Sequence, residues 1–289
     1  MDKRKILIQL DCDPLPSVFD RVVAFDGGAD EVFSYGGVKP EQVRDLVHGA
    51  IFTRHPDELH RTALFIGGGN VLAAEQLLAE AVQSMIPAAR LRVSVLLEAN
   101  GANTTAAAAV RAAARHVDLA KEHALVLGGT GPVGQRIALL LAKLGTEVRL
   151  ASRQATRAVA TANVIKSTVA RATVDPIGIN NLAELNVALR GRTVVIAAGA
   201  AGVVLFPRAA RFGCESLKVA IDLNAVPPLG IEGIEVTDKA AEREGAICYG
   251  AVGVGGTKMK IHKAAIAKLF ERNDQIMDAE EVFALAKDF

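Results

Sequence analysis

The chain has no tryptophan, two tyrosines and only 4% aromatic residues in all, which leaves few flat side chains for stacking nucleic-acid bases. It also lacks an excess of one charge. Its 33 Lys and Arg stand against 32 Asp and Glu, a formal net charge of +1, whereas a nucleic-acid binder carries a basic surplus. No nucleic-acid partner is expected. Cysteine is scarce, at Cys12, Cys214 and Cys248. The number is odd and no pair has CxxC spacing, so neither a disulfide framework nor a zinc site is expected, and no metal is assigned. No apolar run approaches the roughly 18 residues of a membrane span. The basic start, Met1 to Lys5, precedes an apolar stretch of only Ile6 to Leu10, too short for the core of a signal peptide. The six histidines form no H-E-x-x-H pattern and suggest no Ser/His/Asp triad. What the chain does have is 289 residues, 51% hydrophobic and 22% charged. That is a globular composition with enough apolar mass for two domains. The expectation is a soluble, cytoplasmic protein in a reducing compartment, with no membrane partner.

Strand-like and helix-like runs alternate along the chain. Lys5–Leu10 is strand-like and ends in the turn Asp11-Cys12-Asp13-Pro14. Val22–Phe25 is a short apolar run closed by Gly27-Gly28, and Pro40–Val47 predicts a helix with proline in its first turn. Thr62–Ile66 predicts a buried strand, followed by Gly67-Gly68-Gly69 and a helix over Val71–Val82. Leu91–Leu97 predicts another strand. A polar cluster, Asn100-Gly101-Ala102-Asn103-Thr104-Thr105, then leads into an Ala-rich helix over Ala106–His116. The rhythm restarts at Ala124 and continues through Val148–Leu150, Val194–Ala198 and Val219–Leu223. A glycine-rich loop, Gly250–Gly256, precedes a helix over Thr257–Phe270. A last helix begins near Asp278, where Asp278 and Glu281 have capping-box spacing. This alternation predicts βα units and largely parallel sheet, an α/β fold of two domains.

The sharpest signal is Ala124-Leu125-Val126-Leu127-Gly128-Gly129-Thr130-Gly131-Pro132-Val133-Gly134. It holds G-x-G-x-x-G at Gly129, Gly131 and Gly134, between a buried strand and an apolar helix that carries Ile137, Leu140, Leu141 and Leu144. In that context the first glycine allows a tight turn, the second admits a pyrophosphate, and the third lets helix pack on strand. The helix N-terminus, which begins with Thr130, Pro132 and Val133, presents the backbone N–H groups of its non-proline residues and the positive end of a dipole to the phosphates. The next strand, Glu147–Leu150, ends in Ala151-Ser152-Arg153 where NAD-binding proteins place Asp or Glu. A guanidinium there pairs with a 2′-phosphate through two hydrogen bonds, and Ser152 adds a hydroxyl, so NADP is preferred. The alternative for Arg153 is a solvated residue at a helix start. Ala198, Gly199 and Ala200, at the end of a later strand, are small enough to leave room for cofactor. Asp222 and Asn224 lie two apart at the end of another, as ligand contacts or as loop caps.

Further segments carry a family likeness: Pro16-Ser17-Val18-Phe19-Asp20, Asp26-Gly27-Gly28-Ala29-Asp30, Gly67-Gly68-Gly69, Asn100 to Ala108, Asn224-Ala225-Val226-Pro227-Pro228-Leu229-Gly230-Ile231, and Gly255-Gly256-Thr257-Lys258-Met259-Lys260. With the glycine motif they occur in order over nearly the whole chain. On these residues the sequence resembles the bacterial NADP-dependent methylene-tetrahydromethanopterin dehydrogenases, one-carbon enzymes of methylotrophs, some of which also accept methylene-tetrahydrofolate. Gln154 departs from the pattern, since relatives can carry a second basic residue there, and this leaves mixed NAD and NADP use open.

The resemblance implies an N-terminal α/β catalytic domain with a parallel sheet and a Rossmann-type NADP-binding domain, with C-terminal helices returning to the first. The expected boundaries are residues 1–103 with 258–289, and 104–257. It also implies a pterin substrate between the domains and a homo-oligomer, a trimer. The implied reaction moves a hydride from the methylene bridge to nicotinamide C4 and leaves a methenyl cation. Such chemistry asks for ring positioning and exclusion of water more than for acid–base groups. Lys258 corresponds to the family's active-site lysine. A cationic group beside a developing cation opposes it, so Lys258 is assigned to holding the pterin through a ring oxygen. Asp20 is a partner or pterin anchor, or else a turn aspartate. Asn100, Asn103, Thr104 and Thr105 offer donors and acceptors at the interdomain crossing, with Asn103 alternatively a helix N-cap. His262, one turn after Lys258, is a substrate contact or a core histidine. Gly67–Gly69 is an anion-binding or a plain turn. Two rival readings are a shikimate-type NADP dehydrogenase, though the aspartate expected after Asn103-Thr104 is missing, and a non-catalytic NADP-binding sensor.

Overall fold

Near-continuous apolar runs such as Ile6–Asp11 and Thr62–Gly67 are buried along almost their whole length, as strands of a parallel sheet covered on both faces must be. The computed structural model describes residues 3–289; Met1 and Asp2, the head of the basic start, lie outside the described residues. The first half contains β1 (Ile6–Asp11), α1 (Val18–Asp26), β2 (Glu31–Tyr35), α2 (Pro40–Ile51), β3 (Thr62–Gly67), α3 (Val71–Gln83), β4 (Ser94–Leu97) and α4 (Ala102–Ala114). The helices bury one face each; α2 does so with Val43, Val47, Ala50 and Ile51. Ser17 caps α1 through the Asp20 N–H, and Asn70 caps α3 through the Ala73 N–H. The run Val22–Phe25 is thus the body of a helix. β4 begins three residues later than the apolar pattern predicts, because Pro87–Ala89 form a 3-10 turn that ends with Arg90 left-handed. α4 starts four residues before the predicted Ala106, because the Glu98 carboxylate accepts the Thr104 N–H and hydroxyl and secures its first turn.

The second half contains β5 (His123–Leu127), α5 (Pro132–Lys143), β6 (Glu147–Ser152), α6 (Ala155–Thr168), β7 (Val174–Gly178), α7 (Leu182–Leu189), β8 (Val194–Ala197), α8 (Arg208–Phe212), β9 (Val219–Asp222), β10 (Lys239–Arg243) and β11 (Ala246–Tyr249). Seven strands run in the order β10-β11-β9-β8-β5-β6-β7. All neighbours are parallel except the β10–β11 hairpin. The chain winds outward from β5 through β6 and β7, then returns to β8 on the other side. The switch point therefore lies between the carboxyl ends of β5 and β8.

The C-terminal stretch forms α9 (Ala251–Leu269), β12 (Ile276–Met277) and α10 (Ala279–Leu285). β12 joins β4, completing a five-stranded parallel sheet of order β12-β4-β3-β1-β2 with its own switch point between β1 and β3. Asp278 caps α10 in a capping box with Glu281. The chain divides into two compact units: residues up to Thr104 with Met259–Phe289, and Thr105–Lys258.

One expectation is corrected. The glycine-rich stretch Gly250–Gly256 is no loop: from Ala251 onward it is the first turns of α9. Its glycines serve close approach. A Cβ on Gly250 would stand 2.1 Å from the Glu235 carbonyl oxygen, and one on Gly253 1.8 Å from that of Asp238. At Gly256, by contrast, nothing lies within 4 Å of a Cβ. Replacing Gly256 by alanine should therefore stabilise the helix by about 0.5–1 kcal/mol, seen as a raised urea midpoint. A mobile loop would give no such gain.

Candidate functional site

β5 delivers the glycine motif to the switch point of the second sheet. The left-handed turn falls on Gly128, with φ +70°, one residue before the motif. A Cβ there would stand 2.6 Å from the Cα of Gly199. Sequence reading missed this glycine; the doublet Gly128-Gly129 was its only signal. A Cβ on Gly134 would stand 2.4 Å from the Gly128 carbonyl oxygen and 2.8 Å from the Gly129 Cα, while one on Gly129 would meet Leu150 at 2.7 Å. Gly131 stands beside the carbonyl oxygens of Gly128 and Ala198. The three glycine-lined segments thus press backbone on backbone. α5 then opens at Gly131 with Pro132 in its first turn and no side-chain cap, so its leading N–H groups, including those of Val133 and Gly134, are left to an outside acceptor.

The rim of this cradle is polar. The Thr130 hydroxyl donates to the Ser152 Oγ at 3.2 Å, and the Gln154 N–H donates to the same oxygen at 3.2 Å. With both acceptor positions used, Ser152 keeps its own O–H as a donor. Arg153 and Arg157 are exposed at the head of α6, and no carboxylate occupies the end of β6. Ala198 N–H donates to the Leu127 carbonyl, which fixes the β8 end, with Gly199 and Ala200, beside the glycine turn. The residues present fit a dinucleotide: an uncapped helix start for a pyrophosphate, and a hydroxyl with guanidinium groups, in place of a carboxylate, for a phosphorylated ribose.

Asp222 and Asn224 depart from the ligand role. Asp222 is buried, and its carboxylate accepts the N–H groups of Asn224 and Ile231 at 3.0 and 2.8 Å. Burial pushes its pKa up, against the lowering by those donors. Asn224 accepts the Val226 N–H and donates to the Pro228 carbonyl. Both side chains hold their own loop, so loop capping is the alternative that the hydrogen bonds describe.

In the first unit, Asp11 ends β1 at the other switch point. Its buried carboxylate accepts the N–H groups of Asp13 at 2.9 Å and Ser17 at 3.2 Å. Burial raises its pKa from the ordinary aspartate value, against the lowering by those donors. Ser17 in turn caps α1, and so the Asp11 carboxylate fixes the turn that carries Phe19 and Asp20. Asp13 accepts the Gly69 N–H at 2.7 Å, tying the β1 loop to Gly67–Gly69. That glycine turn packs around Asp11, Cys12 and Asp13: a Cβ on Gly68 would strike the Cys12 sulfur. Asp11, Cys12 and Asp13 bring possible ligand atoms within 4.8 Å of one another, but both carboxylates already serve backbone N–H donors, Asp11 within its own loop and Asp13 from Gly69 of the next. Burial raises the Cys12 pKa, which works against a reactive thiolate. None of Asp11, Asp13 or Glu98 was singled out from sequence, since a strand-end carboxylate looks the same whether it holds a loop or a ligand.

The polar cluster divides. Asn103 is buried and donates to the Leu97 carbonyl at 2.7 Å and to the Asp278 carboxylate at 2.9 Å; Thr104 is buried against Glu98. These two brace α4 and α10 and are withdrawn from direct ligand contact. Asn100 is exposed and left-handed, with φ 53°, and its N–H donates to the Gly68 carbonyl. His262 is fully buried and stacks on Phe65, with centroids 5.9 Å apart and planes 16° apart, so it too is a core residue and not a direct contact. Lys258, half-buried in α9, precedes it by one turn.

The family model for the N-terminal region of methylene-tetrahydromethanopterin dehydrogenase matches residues 18–100. The bifunctional protein MdtA of Methylorubrum extorquens is 44% identical over 292 residues, covering 99% of this chain and 99% of its own. The NAD(P)-dependent methylenetetrahydromethanopterin dehydrogenase of the same organism is 28% identical, covering 93% of each. Among solved structures, the ligand-free 5-ketofructose reductase of Gluconobacter sp. strain CHM43 superposes with a TM-score of 0.54 at 17% identity over 99% of both chains, which is a likeness of fold. With near-complete coverage by a relative of this identity, the chain belongs to the methylene-tetrahydromethanopterin dehydrogenase family.

Proposed function

We propose that the protein oxidises methylene-tetrahydromethanopterin to the methenyl form with reduction of NADP, with methylene-tetrahydrofolate as the second candidate substrate. The observation that carries this reading is one chain that joins the family's N-terminal region to an uncapped glycine cradle with Arg153 on its rim. NADP supplies the hydride acceptor when bound. The chain's own residues bind and orient. Gly129, Thr130, Gly131, Pro132, Val133 and Gly134 hold the pyrophosphate, Ser152 and Arg153 the 2′-phosphate, and Ala198, Gly199 and Ala200 leave space beside it. Lys258 holds the pterin through a ring oxygen, and the Asp20 carboxylate balances the product cation. Asn100 offers an exposed amide to the same ring. No proton has to be moved by a side chain, because the two nitrogens that flank the carbon supply the electrons as hydride leaves. The work left to the protein is to bring the reacting carbons to about 3–3.5 Å and keep water away from the cation.

The same reading makes the protein a cytoplasmic homo-oligomer, a trimer, that needs no metal. No described helix is long and apolar enough to cross a membrane. The test is NADPH formation with each methylene pterin side by side, with shikimate as the contrasting substrate. NADPH from a methylene pterin supports the reading, and NADPH from shikimate alone overturns it. Replacing Arg153 by alanine is expected to raise the Kd for NADP by about tenfold or more while leaving that for NAD nearly unchanged, as loss of a charge-assisted contact to one phosphate requires. Equal weakening of both would remove Arg153 from the 2′-phosphate.

A further inference from the structure

Three rings form a tier in the first unit. Phe65, on β3, is 1% exposed, and His262, on α9, is 0% exposed and lies nearly parallel to it. Phe19, in the first turn of α1, packs against His262 with centroids 6.3 Å apart and planes at 41°. Phe19 is itself 50% exposed. The tier thus rises from the sheet to the surface and ends in a half-exposed aromatic ring.

Its position is specific. The turn that carries Phe19 follows the β1 carboxyl end, and Ser17 fastens it there through the Asp11 carboxylate. Ligands of open α/β sheets gather at that end of the strands. His262 lies one helical turn beyond Lys258, and residues four apart share a helix face. Asp20 is the next residue after Phe19. Several phenyl rings of the chain are half-exposed, but among the described ring contacts Phe19 is the exposed one that rests on a buried ring tier at the carboxyl end of a strand. A reduced pterin is a flat ring with hydrogen-bonding edges and apolar faces. It needs a wall for one face as well as polar partners for its edge.

We propose that Phe19 is the platform on which the pterin ring of the substrate stacks, supported from below by His262 and Phe65. The inference rests on the proposed function and specifies how its substrate is held. It also gives buried His262 a place in the site without direct contact.

The test uses the full chain with Phe19→Ala, Phe19→Leu and Phe19→Trp. F19A should raise KM for methylene-tetrahydrofolate by about tenfold or more, the loss that removal of a base-stacking aromatic brings, with NADP affinity unchanged. F19L, which restores apolar volume without a flat face, should recover little of this, and F19W most of it. F19W also introduces the chain's sole tryptophan, so its emission should be quenched on titration with tetrahydrofolate. An unchanged KM in F19A, or tryptophan emission that does not respond to saturating tetrahydrofolate, overturns the proposal. So does a change in particle mass of F19A on size exclusion with KM intact, which would assign the ring to a subunit contact. Wild-type protein that makes no NADPH from either methylene pterin brings down the enzymatic reading instead, and the tryptophan titration then still decides the platform by binding alone.

Discussion

Replacing Lys258 by alanine is expected to lower methylene-pterin oxidation by about 10²-fold or more, while NADP binds as before. The magnitude follows from the chemistry. When hydride transfer depends on ring placement, a displacement of about 1 Å costs on the order of 10²-fold. Alanine is the best helix former, so α9 (Ala251–Leu269) should keep its form, and the loss should fall on KM and kcat for the pterin alone. Arginine at the same position keeps the charge but changes its shape and reach, and should recover only part of the activity. The same variant separates an enzyme from an NADP-binding sensor, because a sensor has no turnover to lose. Turnover unchanged in K258A would take Lys258 out of the site.

Gly134→Ala should weaken NADP binding by about 10²-fold. The added methyl group would face backbone on every side it can reach: the Gly128 carbonyl oxygen at 2.4 Å, the Gly129 Cα at 2.8 Å and the Gly128 carbonyl carbon at 3.0 Å. The three nearest atoms are all backbone and none is the end of a flexible side chain, so the turn itself must shift. Overpacking of this kind costs about 1–3 kcal/mol, which thermal unfolding would read as a lower Tm. The shift also moves the N–H groups meant for the pyrophosphate, so the Kd for NADP should rise by about 10²-fold. Native Tm together with native affinity would mean that the glycine turn is looser than its contacts imply. The Gly256→Ala variant is the internal contrast, since the same methyl group has open space there.

The sequence made the α/β class and the β5–α5–β6 unit legible because their signals are local. Buried parallel strands are near-continuous apolar runs, and a glycine turn followed by an apolar helix has few other solutions. The start of α9 was not legible, because glycine has two incompatible uses. It loosens a chain that is free and permits close approach in one that is packed, and only the carbonyl oxygens of Glu235 and Asp238 decide between them. Asp222, Asn224, Asn103 and Thr104 were ambiguous in the sequence for a related reason. Each is a polar residue at a strand end or helix start, where ligand and loop compete for the same hydrogen bonds, and here the loops take them. The tier of Phe19, His262 and Phe65 spans 243 residues of sequence and three elements, so no spacing rule could have assembled it.

The passage of the chain between its units has a consequence for biosynthesis. The first sheet needs β12 to cover β4, and Asn103 needs Asp278 from the cap of α10. Both partners come from residues 276–278, which follow the whole second unit in the chain. During translation, at about 5–20 residues per second, the whole of Thr105–Lys258 leaves the ribosome before the N-terminal sheet can close. The Thr105–Lys258 unit is thus ready first, and the first sheet is closed only once residues 276–278 have followed it. Truncation before Ile276 should accordingly leave Thr105–Lys258 folded while the first unit loses β12 and the Asp278 partner of Asn103.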